Sequence, residues 1–191
     1  MIGRLNTRTV AILACAIVAL VAILEWASGR LPLGPDGRFG FWEGNINSRE
    51  CSQRIADAYS FSHIAHGILF YAFFWLVARR WPVRVRFLAA VLVESGWELL
   101  ENSPIIINRY REATMALGYA GDSILNSVSD IGMMSLGFLL AWRANPWLSV
   151  AVLVAMEVGC ALWIRDNLTL NVIMLIHPVD AIKHWQMGAS G

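Results

Sequence analysis

Glu94, Glu98 and Glu101 fall at i, i+4 and i+7 in the string VLVESGWELLENSP, so an α-helix puts all three carboxylates on one face beside Trp97. The string otherwise reads as a membrane helix, where a lone charge near the bilayer centre costs about 2.5–3.5 kcal/mol. Three acids in one stripe therefore need something inside the protein to receive them. Carboxylates gathered away from water cannot all stay charged unless cations share the space. Proton transfer is the chemistry such a group can do, with one acid as general base and its neighbours setting its charge.

Other segments carry residues suited to the same site. Tyr59, Ser62, His63 and His66 open one apolar run, and histidines at i, i+3 suit either a shared divalent metal or pairing with carboxylates. Asp122, Asn126 and Asp130 form an i, i+4, i+8 stripe, with Asp122 also placed to cap a helix after Gly121. Arg109 and Arg111 follow the acids, and Arg165, Asp166 and Asn167 follow a run containing Glu157. We expect Glu94, Glu98, Glu101 and Asp130 to be catalytic, and His63, His66 and Asp122 to hold a metal. Arg109, Arg111 and Arg165 would grip a phosphate or carboxylate head group bidentately, with Asn102, Asn126 and Asn167 lining it. The plainer alternative is a polar network that joins helices, although such contacts contribute only about 0.6 kcal/mol each on average.

These residues must be positioned by membrane helices. Of 191 residues, 57% are hydrophobic and 15% charged, against roughly a quarter charged in a soluble domain. The expected fold is all-α: a single domain, 1–191, forming a polytopic membrane bundle. Apolar runs place spans at about 10–27, 60–78, 84–101, 122–142 and 147–164. The Gly/Pro-rich segment 28–59 reads as a loop, and Leu168–Pro178 as a short re-entrant or interfacial segment. The first run is read as an uncleaved helix, since no small-residue cleavage site follows it. Cys15 and Cys160 sit in apolar runs as inert small hydrophobes, while Cys51 lies in the loop, where a thiol can react. A net charge of +1 with no basic arm excludes nucleic acid as a partner class.

Arg79, Arg80, Arg84 and Arg86 crowd one short turn, and Arg4, Arg8 and Arg143 fall on the same side. The positive-inside rule makes that side cytoplasmic, with the 28–59 loop and the C-terminus on the outer face of a bacterial inner membrane. Arg109 and Arg111 break the trend, which is explained if their segment is an outer loop folded back onto the acids. The candidate acids, histidines, asparagines and Arg109, Arg111 and Arg165 then all lie in the outer half of the bundle. The inner halves (LFYAFFWLVA, FLAAVLV, GMMSLGFLLAW, WLSVAVLVAM) have none.

The strings YSFSHIAHG, WELLENSPIIINRYREAT, GDSILNSVSD and IRDNLTLNVIML together resemble a family of small bacterial multi-pass inner-membrane proteins of unknown function. The resemblance runs from about Gly29 to Gln186. It implies membrane location and a helical bundle, and it supplies no activity. Members of that family often carry Cys-x-Cys-Gly and Trp-His-Gly in the outer loop, then Glu-Asn-Ser-Gln-His. Here those places read Gly34-Pro35-Asp36-Gly37, Trp42-Glu43-Gly44 and Glu50-Cys51-Ser52-Gln53-Arg54, so any metal must use His63, His66 and the carboxylates. The expected function is a hydrolase or transferase acting on a membrane lipid or lipid-linked substrate. Two readings stand beside it: a binder or transporter of a small ligand or cation, and an assembly factor for a membrane complex. Either would bring a membrane-protein partner or a second copy of the chain.

Overall fold

The computed structural model describes residues 6–114 and 118–188, so Arg4 lies outside the described residues. Its elements in chain order are α1 (Thr7–Ala27), β1 (Trp42–Glu43), β2 (Ala56–Asp57), α2 (Ser60–Val77), α3 (Val83–Glu101), α4 (Pro104–Ala113), α5 (Ile124–Arg143), α6 (Pro146–Ile164), α7 (Leu168–Ile176) and α8 (Asp180–Met187). Side chains that take up free N–H groups start several of them. Asn6 caps α1, Ser123 caps α5, Asn145 caps α6 just before Pro146, and Asn167 caps α7.

Among the described residues four helices, α1, α2, α5 and α6, are long and apolar enough to cross a membrane. The sequence led us to expect five. The remaining one, α3, is as long at 19 residues, but Arg84, Arg86, Glu94, Glu98 and Glu101 take it out of the apolar class. Two of its acids, Glu94 and Glu98, are fully buried among the neighbouring helices.

One end of the bundle gathers the C-terminal turns of α1, α3 and α6 with the first turns of α2 and α5. Asn102 after α3 bonds Glu25 of α1 and Ser127 of α5, and Cys160 of α6 reaches the carbonyl of Ala58 before α2. The loop 28–59 covers this end. Beneath it Val21, Ala90, Val91, Ile131, Met134 and Phe138 form a dry core, with Tyr71 and Phe87 meeting Phe138 edge-on at 5.3 Å each. At the opposite end Arg79 lies over Trp75 and Arg143 over Trp142, each 4.2 Å from a ring centroid.

The most extensive helix contact is between α2 and α5, which run parallel from the loop end. Two glycines set it. A Cβ on Gly67 would sit 1.9 Å from the Met134 carbonyl oxygen, and one on Gly137 would sit 2.0 Å from that of Ile64. The two backbones are in contact, as small residues permit between membrane helices.

The segment 104–113, read from sequence as a folded-back outer loop, is the helix α4. Pro104 supplies its first turn, with its missing N–H placed where no partner is needed. The segment after α6 turns back on itself. Glu157 of α6 accepts the Leu168 and Thr169 N–H groups at 3.1 Å each, so α7 starts beside the flank of α6. Nine residues are too few for α7 to cross a bilayer.

Gly67→Ala or Gly137→Ala should lower stability by about 1–3 kcal/mol, the usual cost of overpacking. Gly159→Ala, whose Cβ would meet nothing within 4 Å, should be neutral or stabilising. Thermal unfolding of the detergent-solubilised variants checks this, and equal melting curves for Gly67→Ala and Gly159→Ala would refute the close-contact account.

Candidate functional site

Helical spacing puts His63 and His66 on one face of α2, and Glu94, Glu98 and Glu101 on the facing side of α3. Glu94 Oε1 lies 2.7 Å from His63 Nδ1 and 3.0 Å from His66 Nδ1. Glu98 Oε1 is 3.4 Å from the same His63 Nδ1, yet neither Glu98 oxygen has a hydrogen-bond partner. Both Glu94 and Glu98 are 0% exposed. From α5, Asp130 Oδ2 comes within 3.8 Å of His63 Nε2, while its Oδ1 accepts from the Ser60 hydroxyl at 3.3 Å. Three of the expected acids, Glu94, Glu98 and Asp130, and both histidines are thus in one place. Glu101 sits at its edge, within hydrogen-bonding reach of Trp97 and Tyr110.

The cluster comes to the surface at His66 and Glu101. The His66 ring stacks on Phe70 and meets Trp97 edge-on at 6.5 Å. Along the same faces stand the exposed apolar side chains of Leu69 and Phe73 on α2, and of Val93 and Leu100 on α3. Among the described residues two sets of donors are close enough to share one ion: His63, His66 and Glu94, or His63, Glu98 and Glu101.

Asp122 is not among them, contrary to expectation. Its carboxylate accepts from the Tyr119 hydroxyl at 2.9 Å and the Asn102 amide at 3.3 Å, and its own N–H donates to Asn102 Oδ1 at 2.7 Å. Asn102 also donates to Glu25 Oε1 at 3.0 Å. This is a second buried polar group, joining α1, α3 and α5, and Glu25 in it was missed by the sequence reading. The signal was present, since Glu25 is an acid at the end of an apolar run just as Glu94 is.

The residues expected to grip a head group are engaged elsewhere. Arg109 donates to the carbonyls of Leu175 (2.7 Å) and Ile176 (3.3 Å), Arg111 to that of Tyr119 (2.6 Å), and Arg165 to that of Trp185 (2.9 Å). Leu175, Ile176 and Trp185 end short helices, where carbonyls lack partners and attract cations. The Asn126 amide goes to the Arg54 carbonyl at 2.9 Å, and Asn167 caps α7. Burial and the neighbouring Asp57 push the Cys51 thiol well up, so it is an inert group.

Over residues 25–188 the sequence matches the family described as "Protein of unknown function (DUF2585)". It is similar to a UPF0314 protein of Rhizobium etli, 52% identical over 92% of this chain and 90% of that one. A UPF0314 protein of Sphingopyxis alaskensis is 49% identical over 98% of this chain and all of its own length (100%). One of Paracoccus denitrificans is 48% identical over 89% of this chain and 88% of its own. No solved structure matches.

At the rim, Asp166 closes the turn between α6 and α7, accepting the Asn167 N–H at 2.9 Å and facing the Tyr59 hydroxyl at 3.4 Å. Burial raises its carboxyl from 3.8 to about 6. Between those values the folded chain holds a proton that the unfolded chain has lost, so this contribution to stability falls as pH rises. Asp166→Asn should remove that slope. The stability of wild type relative to Asp166→Asn is expected to decline from pH 3.8 to about 6 and then level off. Parallel melting-temperature curves for the two proteins would refute it.

Proposed function

Because the chain belongs to the DUF2585 family, we propose that its buried acid–histidine cluster carries that family's activity, as an inner-membrane enzyme acting on a lipid or lipid-linked substrate. The observation behind this reading is where the cluster opens. His66 and Glu101, its half-buried members, stand beside the exposed apolar side chains of Leu69, Phe73, Val93 and Leu100, so a substrate would reach it from within the bilayer. Glu94 lies eight residues before Asn102, which puts it about 12 Å below the end of α3.

In this reading five helices cross the membrane, with α3 among them and its acids shielded by α2 and α5. The arginine-rich end faces the cytoplasm, and the loop-covered end faces outward. Glu98 acts as the general base. It is the acid in the cluster with no donor to neutralise it, and it is set beside His63. It would take a proton from a hydroxyl or a water as that oxygen attacks the head group, and give the proton to the leaving oxygen as its bond to the head group breaks. Asp130 would hold His63 from its other side. The reaction class is hydrolysis or group transfer. The dry apolar core beneath the site offers no polar route for a transported solute.

Glu98→Gln keeps the shape of the side chain and removes a buried, unpartnered carboxyl group, so the variant should insert normally and melt no lower than wild type. Its activity should fall by roughly 10²–10⁴, the usual contribution of a general base. The check is the lipid and lipid-linked glycan profile of a gene-deletion strain complemented by either form. Full restoration by Glu98→Gln would sink the assignment.

A further inference from the structure

We propose that His63, His66 and Glu94 bind a divalent first-row transition-metal ion, with Glu98 facing the position they leave open. The proposal names the cofactor of the site described above, and its test does not depend on the reaction.

Geometry is the first argument. Ligands held at 2.0–2.1 Å around a tetrahedral ion stand about 3.3 Å from one another. His63 Nδ1, His66 Nδ1 and Glu94 stand 2.7 to 3.1 Å apart across the His–Glu contacts, and Glu98 Oε1 is 3.4 Å from His63 Nδ1. Shifts of a few tenths of an ångström would admit an ion. Two imidazoles and one carboxylate are a donor set suited to zinc or iron(II).

Proton counting is the second. Glu94 Oε1 is approached by two ring nitrogens, while Glu98 beside them receives no donor at all. Protons on the rings satisfy Glu94 and leave Glu98 unserved. One dication balances both carboxylates where Glu94 and Glu98 are 0% exposed.

The third argument is the far side of His63. A metal-ligating imidazole commonly gives its other N–H to a carboxylate, which fixes the ring. With Nδ1 turned to the ion, Nε2 faces Asp130 Oδ2 at 3.8 Å, and Ser60 in turn donates to Asp130 Oδ1. A catalytic ion keeps an open position for water or substrate, and Glu98 is placed to take a proton from what binds there.

The experiment is elemental analysis of the full chain purified in detergent without added chelator, followed by titration of chelated protein with cobalt(II). Wild type should carry metal in proportion to protein, and cobalt(II) should give the visible absorption of a nitrogen-and-oxygen site. His66→Asn and Glu94→Gln should each lose metal and absorption, with melting curves showing that they remain folded. Glu98→Gln should keep the metal, and Asp130→Asn should weaken binding about tenfold or more. Wild type without metal or cobalt(II) absorption overturns the proposal. So does undiminished metal in both His66→Asn and Glu94→Gln, and so does loss on Glu101→Gln in their place, which would put the ion at His63, Glu98 and Glu101. Bound metal with an active Glu98→Gln would refute the base and leave the metal standing. A metal-free protein inactivated by Glu98→Gln would do the reverse.

Discussion

The contact of α2 with α5 at Gly67 and Gly137 is the constraint from which the rest of the bundle takes its geometry. With backbones touching, the two helices cannot slide or rotate without a carbonyl entering the opposite chain. His63 lies one turn above Gly67, and Asp130 two turns above Gly137, so the glycines fix the distance between those side chains. Ser60 and Asp130 then meet at 3.3 Å. Helix α3 lies against this fixed pair and presents Glu94 and Glu98 to it. Glu94 tolerates burial because His63 and His66 on that surface both meet its carboxylate.

The bundle is divided by chemistry. Below the acids, Ala90, Val91, Ile131, Met134 and Phe138 pack without a polar atom among their side chains. Above them, two polar groups lie side by side: the histidine cluster between α2, α3 and α5, and the Glu25–Asn102–Asp122 group between α1, α3 and α5. The second has direct donors for most of its oxygens and ties helix ends together. The first leaves Glu98 without any. Glu25 keeps one partnered oxygen in the second group, whereas Glu98 keeps none.

Much of this was legible in the sequence. Apolar runs marked the long helices, and their alternating direction sent Glu94, Glu98, His63, His66 and Asp130 to one end. The failures have physical causes. Asp122 shares a stripe with Asp130, but it precedes the first turn of α5, and Tyr119 and Asn102 claim it there. The targets of Arg109, Arg111 and Arg165 are main-chain carbonyls at the ends of α7 and α8 and in the turn before α5. Sequence spacing cannot identify such partners, because every residue has a carbonyl. Helix α4 was hidden by its charges, although Ser103-Pro104 before three isoleucines was a readable start signal.

The loop 28–59 grips the start of α5 almost wholly through its own peptide groups. Carbonyls of Leu31, Pro32 and Ser52 accept the N–H groups of Ile124, Leu125 and Ser123, and those of Gln53, Arg54 and Ile55 accept side chains of Ser123, Asn126 and Ser129. Such a clasp is blind to what side chains the loop carries. The cover over the site can therefore change its surface, cysteines and histidines included, while seating itself the same way. Side chains along residues 31–55 can be exchanged while the peptide groups that seat the loop on α5 stay as they are.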